Sequence, residues 1–133
     1  MWPRVQGLRA MELGTPGEMR GELNALVLAG KKRGTAGLFA EYAEEDEQLE
    51  TLGERMALLD SDGEPIGVLQ ITGVEIARFA DVTWEFADSE GEGFTSVDDW
   101  QAGHSRFWAD EGTPVDDDTE IACIGFRVVD APA

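Results

Sequence analysis

The chain has 133 residues, with 28 Asp and Glu against 10 Lys and Arg, a formal net charge of -18, and a single cysteine and histidine. This length supports one domain with its own core, and the lone Cys123 excludes an intrachain disulfide. The charge disfavours long nucleic acids, which are held by basic stripes, and no apolar run approaches the ~20 residues of a membrane helix.

Residues 1–14 show no periodic pattern and are expected to form a loose N-terminal arm, with no apolar leader segment. A single domain is expected over residues 15–133, in the cytoplasm. Thr15-Pro16-Gly17-Glu18 predicts a helix start, with Thr15 as cap, Pro16 in the first turn and Glu18 closing a capping box. Met19, Leu23, Val27 and either Leu26 or Leu28 share one face at helical spacing, and Gly30 is placed to end the helix in a left-handed conformation. Thr35 to Phe39 reads as a short strand, and Glu41 to Glu50 as an acidic polar stretch. Arg55 to Asp60 and Pro65 to Phe79 predict two strands joined by a turn at Asp60-Ser61-Asp62-Gly63. Gly67 and Gly73 predict bulges in the second strand. Asp81 is expected to cap a short helix through Trp84, Phe86 and Ala87. After a loop at Ser89-Glu90-Gly91-Glu92-Gly93, Thr95 is expected to start a helix on which Val97, Trp100, His104, Phe107 and Trp108 share a face. Ile121 to Val129 completes the pattern as a strand. Several strands with few helices between them argue for an α+β fold.

Both lysines stand together in Gly30-Lys31-Lys32-Arg33-Gly34-Thr35. A lysine that loses its proton in a pocket can serve as base for a nearby hydroxyl nucleophile, here Lys32 for Thr35. Cations just past a helix C-terminus also complement its dipole, and the spacing leaves both readings open. Glu90, in a glycine-flanked loop, is either a solvated acid or, with a raised pKa, a proton donor. Trp100, His104 and Trp108, spaced by four, are either core packing around a hydrogen-bonded imidazole or the setting of a catalytic His104. One histidine and one cysteine far apart, with no EF-hand spacing among the aspartates, give no expectation of a metal or other cofactor.

Leu28-Ala29-Gly30-Lys31-Lys32-Arg33-Gly34-Thr35 fits a G-x-K-x-x-T motif. Asp60 to Pro65, Phe79-Ala80-Asp81-Val82, Phe86 to Gly93, Trp100 with His104 and Phe107-Trp108, and Phe126-Arg127-Val128-Val129 follow in order. Together, from about Gly17 to Val129, they resemble the ASCH family, the activating-signal-cointegrator homology domain, in its longer bacterial form. The resemblance implies a small, curved PUA-like β-barrel wrapped by helices, with a cleft lined by the motif. It implies a nucleoside or short RNA ligand, and in some members hydrolysis of N(4)-acetylcytidine to cytidine and acetate. Carried over, Lys32 is the base, Thr35 the nucleophile and Glu90 the acid, with Ala87 and Glu90 matching the A-x-x-E loop. Gly30, Lys31, Arg33, Trp100 and His104 are the expected ligand-binding residues. A binding module without catalysis, or a ribonuclease using His104 and Lys32, are the alternatives. Thr35 is followed by Ala36-Gly37-Leu38-Phe39, where the acetylcytidine enzymes soon have an arginine. The only tyrosine, Tyr42, follows the motif, where some ribonuclease members have one before it.

Overall fold

A computed structural model describes residues 1–131. Six strands form one mixed sheet: β1 Arg4–Val5, β2 Leu8–Met11, β3 Gly34–Leu38, β4 Arg55–Leu59, β5 Pro65–Arg78 and β6 Glu120–Asp130. The helices are α1 Glu18–Leu28, α2 Ala40–Glu44, α3 Trp84–Ser89 and α4 Val97–Asp110, with a 3-10 turn at Phe79–Asp81. Strand order is β1-β2-β4-β5-β6-β3, and the sheet does not close. β2 and β4 are parallel and every other pair is antiparallel. The fold is the α+β, PUA-like, barrel-like architecture expected.

The long β5–β6 pair carries the fold. Its register shifts between Val68 and Leu69 and again between Ile71 and Gly73, close to the two glycines expected to bend it. One face packs Met11, Val27, Tyr42, Leu58, Leu69 and Phe126. Phe79, Trp100, Trp108, Ile121 and Cys123 belong to a second cluster beneath α4. Cys123 is buried, and burial followed by the charges of Glu75 and Glu90 pushes its thiol up to about 12. It is a core residue and not a nucleophile.

Residues 1–14 are not a loose arm. They contain β1 and β2, and Ala10, Met11 and Leu13 are buried. Arg4 pairs with Glu47 at 2.6 Å and Arg9 with Glu54 at 3.0 Å, which ties this segment to the 40s and 50s. The start of α1 also differs from expectation: Gly17 occupies the cap position, without a side-chain cap. Its N–H donates instead to the Ser61 hydroxyl in the β4–β5 turn, at 2.7 Å, so a tertiary contact replaces the local capping box. Thr83 rather than Asp81 caps α3, and Ser96 rather than Thr95 caps α4. The acidic stretch contains α2, held by the burial of Tyr42.

Candidate functional site

Gly30 sits at φ 77, just past the end of α1. The Gly30 N–H donates to Val27 O and the Lys31 N–H to Leu26 O, the double bond pattern of a left-handed helix stop. Lys32 N–H also reaches Leu26 O, at 3.1 Å. This stop turns the chain sharply, leaving Lys31 and Arg33 exposed and Lys32 only 2 % exposed.

The Ser89–Gly93 loop closes against this segment. Arg33 N–H donates to Ser89 O at 2.7 Å. At Gly91, with φ 64, a Cβ would overlap the Lys31 carbonyl and lie 3.0 Å from Lys32 N. Only glycine permits both that backbone angle and that approach. The two backbones are therefore locked together, and the lock sets Glu90 opposite Lys32.

Lys32 Nζ lies 3.3 Å from Glu90 Oε1 and 2.8 Å from Glu92 Oε2. Glu90 is 1 % exposed, and its other oxygen accepts from Trp100 Nε1 and lies 3.2 Å from His104 Nε2. Burial is the largest influence on the Glu90 carboxyl and pushes its pKa up. The His104 hydrogen bond and the Lys32 charge, with further help from His104 and Trp100, oppose it, and the net direction is down. Glu90 is thus held as a carboxylate, without the raised pKa a proton donor needs. His104 Nδ1 lies 3.0 Å from Trp100 O, and its ring stacks on Trp100 with centroids 4.1 Å apart.

Lys32, Thr35, Glu90, Glu92, Phe94 and His104 line a cavity of ≈ 140 Å³. A larger cavity of ≈ 540 Å³ adjoins it and shares Thr35, Ala36, Leu13 and Phe107 in its lining. Of the residues expected at the site, Lys32, Thr35, Glu90 and His104 meet around the smaller cavity. Gly30, Lys31 and Arg33 line neither; Gly30 shapes the backbone, and the two cations face solvent. Trp100 is fully buried, so it is a floor beneath His104 and not a surface on which a ligand stacks. Phe94, His104, Phe107 and Trp108 are the rings lining the smaller cavity, and Trp2 and Tyr42 add theirs to the larger one.

Glu92, Phe94 and Ala36 are cavity residues that sequence reasoning missed. The G-E-G run on either side of Glu92 was the available signal for the first. Glu90, Glu92 and His104 also bring ligand atoms within 4.8 Å of one another, a grouping the spacing argument did not foresee. The Lys32 ammonium lies against both carboxylates, so a cation is already supplied there by the chain itself.

The model of the ASCH domain matches residues 9–130. The chain belongs to the ASCH family. That family is related to RNA binding. Among solved structures, protein EF3133 from Enterococcus faecalis V583 is 29 % identical with a TM-score of 0.82, covering 96 % of this chain and 80 % of that one. The ASCH domain from Lactobacillus crispatus JV V101 is 29 % identical with a TM-score of 0.76, covering 91 % and 79 %. A mutant ASCH protein from Zymomonas mobilis, at 14 % identity and a TM-score of 0.53 over 89 % and 67 %, shares the fold alone. None of the curated proteins matches. No helix among the described residues of this ASCH domain is long and apolar enough to cross a membrane.

Proposed function

We propose that this ASCH domain binds a nucleoside or short RNA-derived ligand in the joined cavities and hydrolyses an N-acyl group of the N(4)-acetylcytidine kind. The observation that carries the reading is the buried Lys32–Glu90 pair beside the half-buried Thr35 in one cavity wall. Phe94, Phe107 and His104 supply ring surfaces for a planar base. The overall charge of -18 suits a ligand with few phosphates.

In this reading Thr35 Oγ attacks the acyl carbonyl and forms an ester as the C–N bond breaks. The Lys32 ammonium gives a proton to the departing amine and takes the Thr35 hydroxyl proton in exchange. Water then adds to the ester, releasing acetate and restoring the hydroxyl. Glu90 is the anchor that holds Lys32 in place, and not the acid of the resemblance, because its two oxygens already meet Lys32, Trp100 and His104, which keep it ionised. A ribonuclease role for His104 is less well supported, since both ring nitrogens already face protein oxygens.

The test is release of cytidine and acetate from N(4)-acetylcytidine by wild type, Thr35→Ala and Lys32→Arg. The expected result is turnover by wild type, none by Thr35→Ala, and a large loss in Lys32→Arg, which keeps the charge but not a readily shared proton. Full turnover by Thr35→Ala removes the nucleophile from the account. Binding without turnover by wild type assigns the domain to the non-catalytic class.

A further inference from the structure

The larger cavity is lined by β3, one edge of the sheet, and by the end of β2 with its continuation, Met11 to Gly14. On that side the Leu13 and Gly14 carbonyls already have partners. Arg20 Nε donates to Leu13 O at 2.9 Å and an Arg20 terminal nitrogen to Gly14 O at 3.1 Å.

The β3 side is different. Phe126 N–H donates to Arg33 O and Phe39 N–H to Glu120 O. In the register Thr35↔Ile124, Ala36↔Cys123 and Gly37↔Ala122, these bonds fix the alternation of the antiparallel pair. Thr35 and Gly37 therefore turn their N–H and C=O to β6. Ala36 turns both of its groups the other way, to the free edge. Ala36 is half-buried and lines both cavities, next in sequence to the Thr35 hydroxyl.

We propose that the Ala36 N–H and C=O read the ligand, pairing with the donor–acceptor edge of a planar amide-like group such as a nucleobase or its N-acyl amine. An edge residue presents both groups in one direction, the arrangement a neighbouring strand's amide normally meets. The occupant is small. The free edge is short, because Gly34 and Leu38, the next residues in the same alternation, are both buried. It is also not an anion: Glu12, Glu41, Glu50 and Glu111 line the larger cavity, and Arg20, its one cation, already serves Leu13, Gly14 and Glu12. The inference rests on the nucleoside reading for the ligand's identity, though not for the free edge itself.

Amide NMR on the wild-type protein provides the test, with N(4)-acetylcytidine, cytidine and N-methylacetamide as probes, alongside Ala36→Pro. Without probe, the Ala36 amide is expected to exchange with solvent much faster than those of Thr35 and Gly37. On addition of probe, Ala36 is expected to shift most among the β3 amides. Ala36→Pro deletes the donor without removing a ladder bond, and is expected to fold and to bind N(4)-acetylcytidine at least about 10-fold more weakly, the loss of roughly one hydrogen bond. Shifts at Ala36 with N-methylacetamide and none with either nucleoside uphold the edge and overturn the nucleoside reading. Nucleoside binding that leaves Ala36 unmoved overturns the edge and spares that reading. An Ala36 amide as protected as its neighbours, or no shift with any probe, overturns the inference whether or not Ala36→Pro folds.

Discussion

Glu90→Gln is the sharpest perturbation of the site, because it removes one charge and changes almost nothing in shape. The Lys32 and Glu90 side chains are 1 % and 2 % exposed, so neither is screened by water. Breaking one side of a buried ion pair costs about 3–5 kcal/mol, because the remaining charge stays buried. Here Lys32 keeps Glu92 at 2.8 Å, and the glutamine oxygen still accepts from Trp100 or His104. The cost is therefore expected below that range, about 2–3 kcal/mol, or roughly 10 °C in Tm for a domain of this size. Urea unfolding checks this: the midpoint falls while the slope m stays constant. Lys32→Met and the double variant complete the cycle. If the pair holds the site, the double variant is more stable than the sum of the two losses predicts, by about 1–3 kcal/mol. Losses that simply add, or a Glu90→Gln midpoint equal to wild type, would refute the claim that Lys32 and Glu90 act as a unit.

The pH dependence follows from the same group. The folded Glu90 pKa lies below its ordinary 4.5, so its contribution is complete above that value and is lost as pH falls through the folded pKa. The stability gap between wild type and Glu90→Gln should thus be flat near neutrality and shrink below pH 4.5; a gap that widens on acidification contradicts the direction. The Glu47 carboxyl, brought to about 2 chiefly by its hydrogen bond from Arg4, should behave similarly, and Arg4→Ala should bring it back toward 4.5 in a carboxyl NMR titration. Gly91→Ala forces a Cβ against the Lys31 carbonyl at a positive φ and should cost about 2–4 kcal/mol; a wild-type Tm would show that the loop is not locked. Trp100→Phe keeps a ring beneath His104 but removes the donor to Glu90, and should raise the Glu90 pKa by carboxyl NMR while the fold persists.

The sequence was legible where local chemistry decides structure. Gly30 ends its helix because a left-handed residue is needed there, and Gly67 and Gly73 marked the irregular pairing of β5. The G-x-K-x-x-T spacing brought Lys32 and Thr35 to one cavity because the helix stop and the first strand residues are rigidly linked. It was illegible where a contact distant in sequence decides. The two- and four-residue strands β1 and β2 are too short to show a period, and their pairing with β4 lies more than 40 residues away. Spacing by four placed Trp100 and His104 on one face but not at one depth, so the buried ring and the cavity-facing ring looked alike. Glu92 could not be told from the other acids, since what distinguishes it is a lysine 60 residues earlier. The free edge at Ala36 depends on strand order and bond alternation, neither of which a side chain of alanine records.

The central claim is that Thr35 carries the acyl group between substrate and water. Acid-quenched mass spectrometry of the protein mixed with N(4)-acetylcytidine tests it most directly. The account predicts an acetyl adduct on the peptide containing Thr35, formed as cytidine appears and absent from Thr35→Ala. Cytidine release with no adduct on that peptide, undiminished in Thr35→Ala, would contradict it.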